Sequence, residues 1–114
     1  MSLRSQQYMF AHLVSGFLAW CFANGYEITL GEAYRTPEQA AWNRANGKGI
    51  GDSLHTQRLA IDLNLFINGV YQTDSAAYKP LGDHWKSLNV DAAWGGDFSK
   101  PDGNHFSLSF LGRK

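Results

Sequence analysis

Apolar side chains recur at helical spacing in the first part of the chain. Residues 8–22 form its most apolar run, and six side chains there fall on one helical face: Phe10, Leu13, Val14, Phe17, Leu18 and Cys21. This period predicts an amphipathic helix. Asn24-Gly25 is typical of a helix end, so we expect the first helix to stop there.

Alternating apolar and polar positions predict strands further along. Residues 26–30 alternate, residues 59–67 form a longer apolar strand pattern, and residues 105–110 form the last one. Asn68-Gly69 follows the second pattern and is a strong signal for a two-residue hairpin, returning through Val70-Tyr71. These segments predict an antiparallel sheet.

Capping residues predict the remaining helices. Thr36, Pro37 and Gln39 form the start of a capping box, so a second helix should run to about Ala45. A short helix should begin near Thr73-Asp74, and another should cover residues 80–88. Residues 46–52, with three glycines, predict a mobile lip of a groove, and residues 89–104 look irregular. The pattern as a whole predicts an α+β fold, in which a central antiparallel sheet is flanked by helices.

The composition narrows the class of protein. The chain has 114 residues, with 10 Lys plus Arg against 10 Asp plus Glu, so its formal net charge is zero. Such a chain has no bulk electrostatic attraction for nucleic acid or an anionic membrane. We expect one domain over residues 1–114, with a core of about 5–112, and a monomeric state. The single cysteine, Cys21, excludes an internal disulfide framework.

The apolar run at residues 8–22 does not predict a membrane anchor or an export signal. His12, Ser15 and Gly16 interrupt it, and it is shorter than the roughly 20 residues that span a bilayer. We therefore expect no signal peptide and no insertion into a membrane.

Strand periodicity gives the first indication of chemistry. Asp62 and His105 each lie at the start of a predicted strand and face away from its aliphatic side. His55 precedes Asp62 by seven residues, and a turn through Gln57-Arg58 could bring it back beside that carboxylate. Two imidazoles and one carboxylate are a ligand set that Zn²⁺ accepts, and three protein ligands leave a fourth position for water. The alternative is a cluster of hydrogen-bonded polar residues.

Three further polar residues are candidates for catalysis. Asp102 lies three residues before His105 and could act as general base, with Asp97 as its nearest competitor. Arg35 follows a predicted strand and could hold an oxyanion or a substrate carboxylate. The remaining histidines, His12 and His84, are interpreted as structural.

Several motifs, taken in order, resemble those of VanY-like, LAS-type zinc peptidases, which cut the peptides of bacterial peptidoglycan. The similarity covers residues 5–110, and the nearest branch is that of the L-alanyl-D-glutamate endopeptidases used as phage endolysins. The motifs are Ser53-x-His55, Ala60-x-Asp62, Asp102-x-x-His105-Phe106, the run from Glu32 to Thr36, the run from Leu59 to Phe66, and Trp94-Gly95-Gly96-Asp97.

The resemblance implies a LAS-type fold, also described as Hedgehog-like, and one zinc ion held by His55, Asp62 and His105. Asp102 matches the catalytic acid/base, and Arg35 matches the arginine that steadies the substrate carbonyl. Ser53 matches a position beside the zinc that supports His55 or the substrate. Trp94 could line a substrate groove or lie in the core.

The implied function is hydrolysis of the peptidoglycan stem peptide at the bond between L-Ala and D-Glu. The resemblance implies an enzyme that is made in the bacterial cytoplasm and acts on the cell wall, and we expect no wall-binding domain. A D-Ala-D-Ala carboxypeptidase stays open as an alternative, because Arg58 could clamp a terminal carboxylate. A non-catalytic module that binds zinc or the cell wall is the alternative from another class. Many relatives have Gly at the position of Arg58 and Glu at the position of Ser107, so substrate preference is open.

Overall fold

The computed structural model describes residues 2–47 and 53–114. Most of the predicted glycine-rich lip, residues 48–52, therefore lies outside the described residues. Within the described residues there are three α-helices: α1 (Leu3–Ala23), α2 (Pro37–Ala45) and α3 (Lys79–Ser87). Five strands form one sheet: β1 (Glu27–Leu30), β2 (Ala60–Ile67), β3 (Val70–Tyr71), β4 (Ala92–Trp94) and β5 (His105–Leu108). The predicted α+β class, with an antiparallel sheet and flanking helices, is confirmed.

Helix α1 follows the predicted apolar face. The Ser2 hydroxyl caps the N-terminus of α1 by accepting from the Ser5 backbone N–H. Gly25, with φ +80°, lies in the turn that follows the C-terminus of the helix. Phe17 and Cys21 are fully buried on its inner face. Within the part of the chain that the structure describes, no helix combines the length and apolarity needed to cross a membrane.

The sheet order explains how the polar candidates meet. The strands run β1-β2-β5-β4, and every pairing between them is antiparallel; β3 also pairs with β2. In the register of β2 and β5, Asp62 lies directly opposite His105. Directly opposed residues have Cα atoms only about 4.5–5.5 Å apart. The sheet itself therefore brings these two side chains together.

The local turn chemistry largely follows the sequence. Asn68 and Gly69 both have positive φ, at 53° and 77°, as a type I′ hairpin requires. Thr36 caps α2 by accepting from the Gln39 N–H. The second half of the predicted capping box is absent from the described contacts, because the Gln39 side chain donates to Asn43 instead.

Residues 89–104 are less irregular than predicted. They contain β4 and a short 3₁₀ turn at Gly95–Asp97. A three-residue strand is too short to show a period of two, and β4 is fixed by its pairing with β5 instead. The last strand was also predicted too long: it ends at Leu108 rather than Phe110.

The core lies between the sheet, α1 and α3. Trp85 of α3 is fully buried, and the rings of Phe10, Phe17 and Phe106 surround it at centroid distances of 5.2–6.3 Å. Its indole N–H donates to the carbonyls of Ala93 and Ser107, so α3 is tied to both β4 and β5. The sheet that carries the polar candidates is thereby held rigid from behind.

The groups that we interpreted as structural lie outside the polar cluster. His84 stacks on Trp20 with ring centroids 3.8 Å apart, and His12 is exposed on α1. Cys21 is fully buried, and burial raises the pKa of its thiol to about 11. A thiol with that pKa is a poor nucleophile at neutral pH.

Candidate metal centre

His55, Asp62 and His105 point their ligand atoms at one another. The Nε2 atom of His55 lies 3.3 Å from Asp62 Oδ1, and the Nδ1 atom of His105 lies 3.8 Å from the same oxygen. One ligand atom from each residue falls within a 4.8 Å cluster. Tetrahedral zinc with bonds of about 2.0–2.2 Å places its ligand atoms roughly 3.3–3.6 Å apart. The observed separations are close to those of a zinc site.

Hydrogen bonding leaves these atoms available to a metal. Asp62 Oδ1 is buried but accepts no hydrogen bond from any described residue, which is costly for a carboxylate unless a cation satisfies it. His55 Nδ1 lies 3.1 Å from the Ala33 carbonyl oxygen, so that nitrogen carries the proton and donates. The Nε2 lone pair then faces Asp62. A metal-binding histidine is commonly oriented in this way.

The segment Gly31–Arg35, which we call the strap, fixes two of the three candidate ligands, His55 and Asp62, through its backbone. The Gly31 N–H donates to the Asp62 carbonyl, and the Asp62 N–H donates to the Glu32 carbonyl, both at 2.8 Å. The Arg35 N–H donates to the His55 carbonyl at 3.1 Å. With the bond from His55 Nδ1 to Ala33, the strap contacts two of the three ligands by four hydrogen bonds.

The turn predicted to bring His55 back to Asp62 is present. Residues Leu54–Gln57 form a 3₁₀ turn, and the Ser53 hydroxyl accepts from the His55 N–H at 3.2 Å. Arg58 ends the turn with φ 56°, in the left-handed region that favours glycine. This conformation gives a reason for the glycine that resembling proteins have there. The Arg58 guanidinium stacks 4.0 Å from the Tyr34 ring centroid.

The segment Gly95–Asn104, which we call the return loop, places Asp102 beside His105. The Gly95 carbonyl accepts from the N–H groups of Phe98 and Asp102, and the Asp102 carbonyl accepts from the His105 N–H at 3.0 Å. A Cβ atom on Gly95 would lie 2.0 Å from the Asp102 carbonyl oxygen and 2.8 Å from His105 Cβ. Only glycine fits at position 95, because the backbone of Asp102 packs directly against it.

A cavity of about 530 Å³ opens over the three ligands. It brings together the predicted residues Arg35, Ser53 and Asp102, and two lysines, Lys100 and Lys114, also line it. Its described lining consists of Arg35, Ser53, His55, Asp62, Phe98, Ser99, Lys100, Asp102, His105 and Lys114. The cavity is large enough for part of a peptide substrate.

Two sequence candidates lie elsewhere. Asp97 pairs with Lys86 at 2.7 Å and faces a different cavity. Trp94 is buried between Gly82 and Gly96, where a Cβ on either glycine would lie about 2 Å from its ring. Its indole N–H donates to the Gly103 carbonyl at 2.7 Å. Trp94 therefore supports the return loop from behind, and it is not part of the described lining of the large cavity.

The environment shifts the pKa of three side chains in this site, His55, Asp102 and His105. Burial, and then the charge of His55, lowers the pKa of His105 to about 4. Burial also lowers the pKa of His55, but the adjacent Asp62 carboxylate outweighs this effect, and the net pKa of His55 lies above the usual value. For Asp102, partial burial and the Asp62 charge raise the carboxyl pKa, against a smaller opposing effect from His55 and Arg35.

Glu32 is the residue of this site that sequence reasoning missed. Its Oε1 atom accepts from Nε of Arg35 at 2.9 Å and also from Nη2 of Arg35. The same atom lies 3.7 Å from His55 Nδ1. The spacing of three residues between Glu32 and Arg35 was a signal that could have been used, because both lie in the motif from Glu32 to Thr36.

Comparison with known proteins gives a family match and a fold match. The model of the family described as D-alanyl-D-alanine carboxypeptidase matches residues 46–108, which include His55, Asp62, Asp102 and His105. Among solved structures, the L-Ala D-Glu endopeptidase ChiX of Serratia marcescens superposes with a TM-score of 0.61 and 22% identity. That similarity covers 75% of this chain and 68% of ChiX.

A second structure has the same fold. The vancomycin resistance D,D-pentapeptidase VanY from a VanB-type resistance cassette, solved as a mutant in complex with Zn(II), superposes with a TM-score of 0.58 and 17% identity. The similarity covers 90% of this chain and 72% of VanY. No curated protein sequence matches the chain.

Proposed function

Since this chain belongs to the D-alanyl-D-alanine carboxypeptidase family of peptidases, we propose that it is a zinc enzyme that hydrolyses the stem peptide of peptidoglycan, at the bond between L-Ala and D-Glu. One observation carries the proposal. His55, Asp62 and His105 converge within 4.8 Å, in a cavity that also holds Asp102 and Arg35. A metal-binding module without catalysis would have no need of the last two residues.

In the proposed site, His55 Nε2, Asp62 Oδ1 and His105 Nδ1 hold one zinc ion. Bound zinc supplies a Lewis acid that polarises a carbonyl and acidifies water. The backbone bonds of the strap keep the His55 ring in the required tautomer and hold Asp62 against it. Ser53 supports His55 by accepting its N–H, which fixes the start of the turn.

Asp102 is the proposed general acid/base. Its side chain lines the same cavity, and its raised pKa brings it closer to the pH at which a carboxyl group exchanges protons efficiently. The carboxylate takes a proton from the attacking water and afterwards gives a proton to the leaving amine of D-Glu. The hydrogen bonds around Gly95 hold it in place for both steps.

Arg35 is the proposed stabiliser of the oxyanion. Glu32 holds two of its donor groups, and the guanidinium lines the cavity over the ligands. The positive charge can therefore face the carbonyl oxygen as negative charge develops on it. We place Trp94 outside the substrate contacts, as a buried support of the return loop.

The cations in the cavity support cleavage next to an acidic residue. Lys100 and Lys114 lie in the lining with Arg35, and in peptidoglycan the residue after L-Ala, D-Glu, carries a free carboxylate. The same cations favour a second candidate, the D-Ala-D-Ala carboxypeptidase, because they could hold a terminal carboxylate. Arg58 is not needed for that clamp, since it stacks on Tyr34 instead.

The resemblance in sequence further supports an enzyme of the phage endolysin type, made in the cytoplasm and acting on the cell wall. All groups of the proposed site come from one chain, which supports action as a monomer.

The zinc-loaded protein incubated with purified peptidoglycan tests the function. Mass spectrometry of the products should find new N-terminal D-Glu, and an Asp102→Asn protein of equal zinc content should release far less of it. Release of free D-Ala would instead favour the carboxypeptidase. An intact substrate after prolonged incubation would leave only the binding module.

A further inference from the structure

A second, smaller cavity lies on the other side of Asp102. Its volume is about 260 Å³, below the roughly 300–1,000 Å³ of sites for drug-sized ligands. The return loop and the segment between β3 and α3 form its walls. Its lining consists of Tyr71, Gln72, Thr73, Ser75, Tyr78, Pro101, Asp102, Gly103 and Asn104. Asp102 therefore belongs to the wall of this cavity and also to the wall of the cavity over the candidate ligands.

Hydrogen bonds hold the walls of this second cavity in place. The Gly103 N–H donates to the Ser75 hydroxyl at 2.9 Å, and a Cβ on Gly103 would lie 2.6 Å from Ser75 Cα. The buried Tyr78 hydroxyl donates to the Gln72 carbonyl at 2.8 Å and accepts from the Leu65 N–H. The cavity is thus a fixed depression between the return loop and the segment between β3 and α3, which are joined by a hydrogen bond.

Several groups around the cavity are free to bind a ligand. The Asn104 side-chain amide and the Thr73 hydroxyl make no hydrogen bond to other described residues. The Tyr71 ring lies at the edge of the cavity, is 47% exposed, and contacts only Phe66 among the described rings. An aromatic face beside neutral donors and acceptors suits a ligand with both apolar and hydroxyl or amide groups.

The two cavities differ in charge. The described lining of the first cavity has three cationic residues, Arg35, Lys100 and Lys114, beside the carboxylates of Asp62 and Asp102, whereas that of the second holds no cation and only one charged residue, Asp102. Carboxylates are therefore attracted to the first cavity and disfavoured in the second. This asymmetry orients a substrate that is acidic at one end and neutral at the other.

We propose that the second cavity binds the N-acetylated amino sugar that carries the stem peptide. This inference rests on the proposed cleavage between L-Ala and D-Glu. In that substrate only L-Ala and a lactyl group separate the sugar from the scissile bond, and one residue spans at most about 3.6 Å. With D-Glu on the cationic side of Asp102, the neutral sugar falls on the side of the second cavity.

The sugar site distinguishes the two candidate reactions. A carboxypeptidase acts at the far end of the stem, which keeps the sugar several residues away from Asp102. The sugar would then be too far away to enter the second cavity, because that cavity adjoins Asp102. An enzyme that cuts after L-Ala places the sugar within reach. The second cavity therefore gives the endopeptidase a contact that the carboxypeptidase could not use.

The test compares two substrates of the zinc-loaded enzyme. One is a muramyl tripeptide, and the other is the same tripeptide with an N-acetyl group in place of the sugar and its lactyl arm. We expect kcat/KM for the sugar-bearing substrate to be roughly tenfold higher, the effect of about one good hydrogen bond with its packing. In Tyr71→Ala and Thr73→Val, the ratio of the two values should fall towards one.

The control is Tyr8→Ala, which removes an exposed tyrosine on α1 that lines neither cavity and should keep the wild-type ratio. Equal cleavage of both substrates by the wild-type enzyme would overturn the sugar site but leave the endopeptidase standing. A preference that survives in both cavity variants would overturn this location. Failure to cut either substrate between L-Ala and D-Glu would overturn the proposed function itself, and the sugar site with it.

Discussion

The two sides of the candidate site are built in different ways. On one side, the strap holds His55 and Asp62 by hydrogen bonds from its own backbone, and the His55 ring faces a carbonyl and two carboxylates. On the other side, the return loop carries Asp102 and leads into His105, whose ring is buried against Phe98. On the first side, which we call the clamp side, hydrogen bonds from another segment hold the two residues, whereas the second, the packed side, is a tight turn held by its own backbone hydrogen bonds and by packing.

This difference teaches how one site can serve two needs. A metal ligand must be fixed in position, and the clamp side does this for two of the three candidate ligands through hydrogen bonds to His55 and Asp62. A general base must keep a shifted pKa and a cavity next to it, which the packed side provides for Asp102. The predictions below separate the two sides, beginning with the largest expected effect.

Loss of a ligand on the clamp side should abolish both metal binding and activity. His55→Ala removes one of three ligand atoms and leaves Asp62 without its neighbour. We expect zinc content to fall from about one per chain towards zero and kcat/KM to fall by roughly 10³-fold or more. Metal analysis and peptide cleavage measure the two effects. His12→Ala, on the exposed side of α1, is the matched control; full zinc occupancy in His55→Ala would refute the ligand assignment.

Loss of the proposed base, Asp102, should lower activity without affecting metal binding. Asp102→Asn keeps the size of the side chain and leaves all three ligands intact. We expect normal zinc content and a rate about 10²–10⁴-fold lower. The control is Asp97→Asn, because Asp97 pairs with Lys86 away from the site. Unimpaired turnover by Asp102→Asn would remove this residue from the mechanism.

The two glycines behind the site should respond differently to a methyl group. On Gly95 it would lie 2.0 Å from the Asp102 carbonyl oxygen, whereas on Gly31 its nearest contact is 3.0 Å, to the Asp62 carbonyl oxygen. Gly95→Ala should therefore lower the free energy of unfolding by about 1–3 kcal/mol or more, and Gly31→Ala by less. Chemical denaturation measures both. Equal effects would mean that the return loop is no tighter than the strap.

Arg35→Lys should give a smaller loss on the clamp side. Lysine keeps the positive charge but lacks the planar guanidinium, whose Nε and Nη2 donate to Glu32 while the group faces the cavity. We expect kcat to fall roughly tenfold with zinc content unchanged, since Arg35 is proposed to act on the developing oxyanion. An increase in KM alone would instead assign Arg35 to substrate binding.

The smallest expected effect is the pH dependence of stability in the metal-free protein. The folded-state pKa of His105 is lowered to about 4, so its contribution to stability is lost as pH falls from 6.5 towards 4. The raised pKa of His55 acts in the opposite sense, since its contribution is complete below pH 6.5 and is lost as pH rises through that pKa. The two partly cancel. His105→Gln should therefore be less sensitive to acid than wild type in denaturation at pH 7 and pH 4.5, and an unchanged sensitivity would contradict this account.

The sequence predicted the parts of the fold that rest on periodicity and local caps. The first helix, the long strand and the Asn68-Gly69 hairpin were visible because each has a repeating pattern or a characteristic turn residue. The strand Ala92–Trp94 was not, since three residues show no period and pairing with a distant strand decides their structure.

The same limit applied to the site. His55, Asp62 and His105 could be grouped from strand faces and a turn, and the structure brings them together. The role of the strap could not be predicted, because it acts through backbone groups, which every residue type offers. Glu32 could have been paired with Arg35 from spacing, but its approach to His55 depends on the path of the chain.

The hydrogen bond between the Ala33 carbonyl and His55 affects which substitutions this site can tolerate during evolution. Position 33 contributes only a carbonyl oxygen, and its methyl side chain is exposed. Many residue types could therefore stand there while the imidazole keeps its orientation. A saturation library at position 33 should retain activity for most substitutions, whereas one at Asp62 should retain almost none. The Ala33 carbonyl, which orients the His55 ring, thus depends on the path of the main chain and places little constraint on the residue type at position 33.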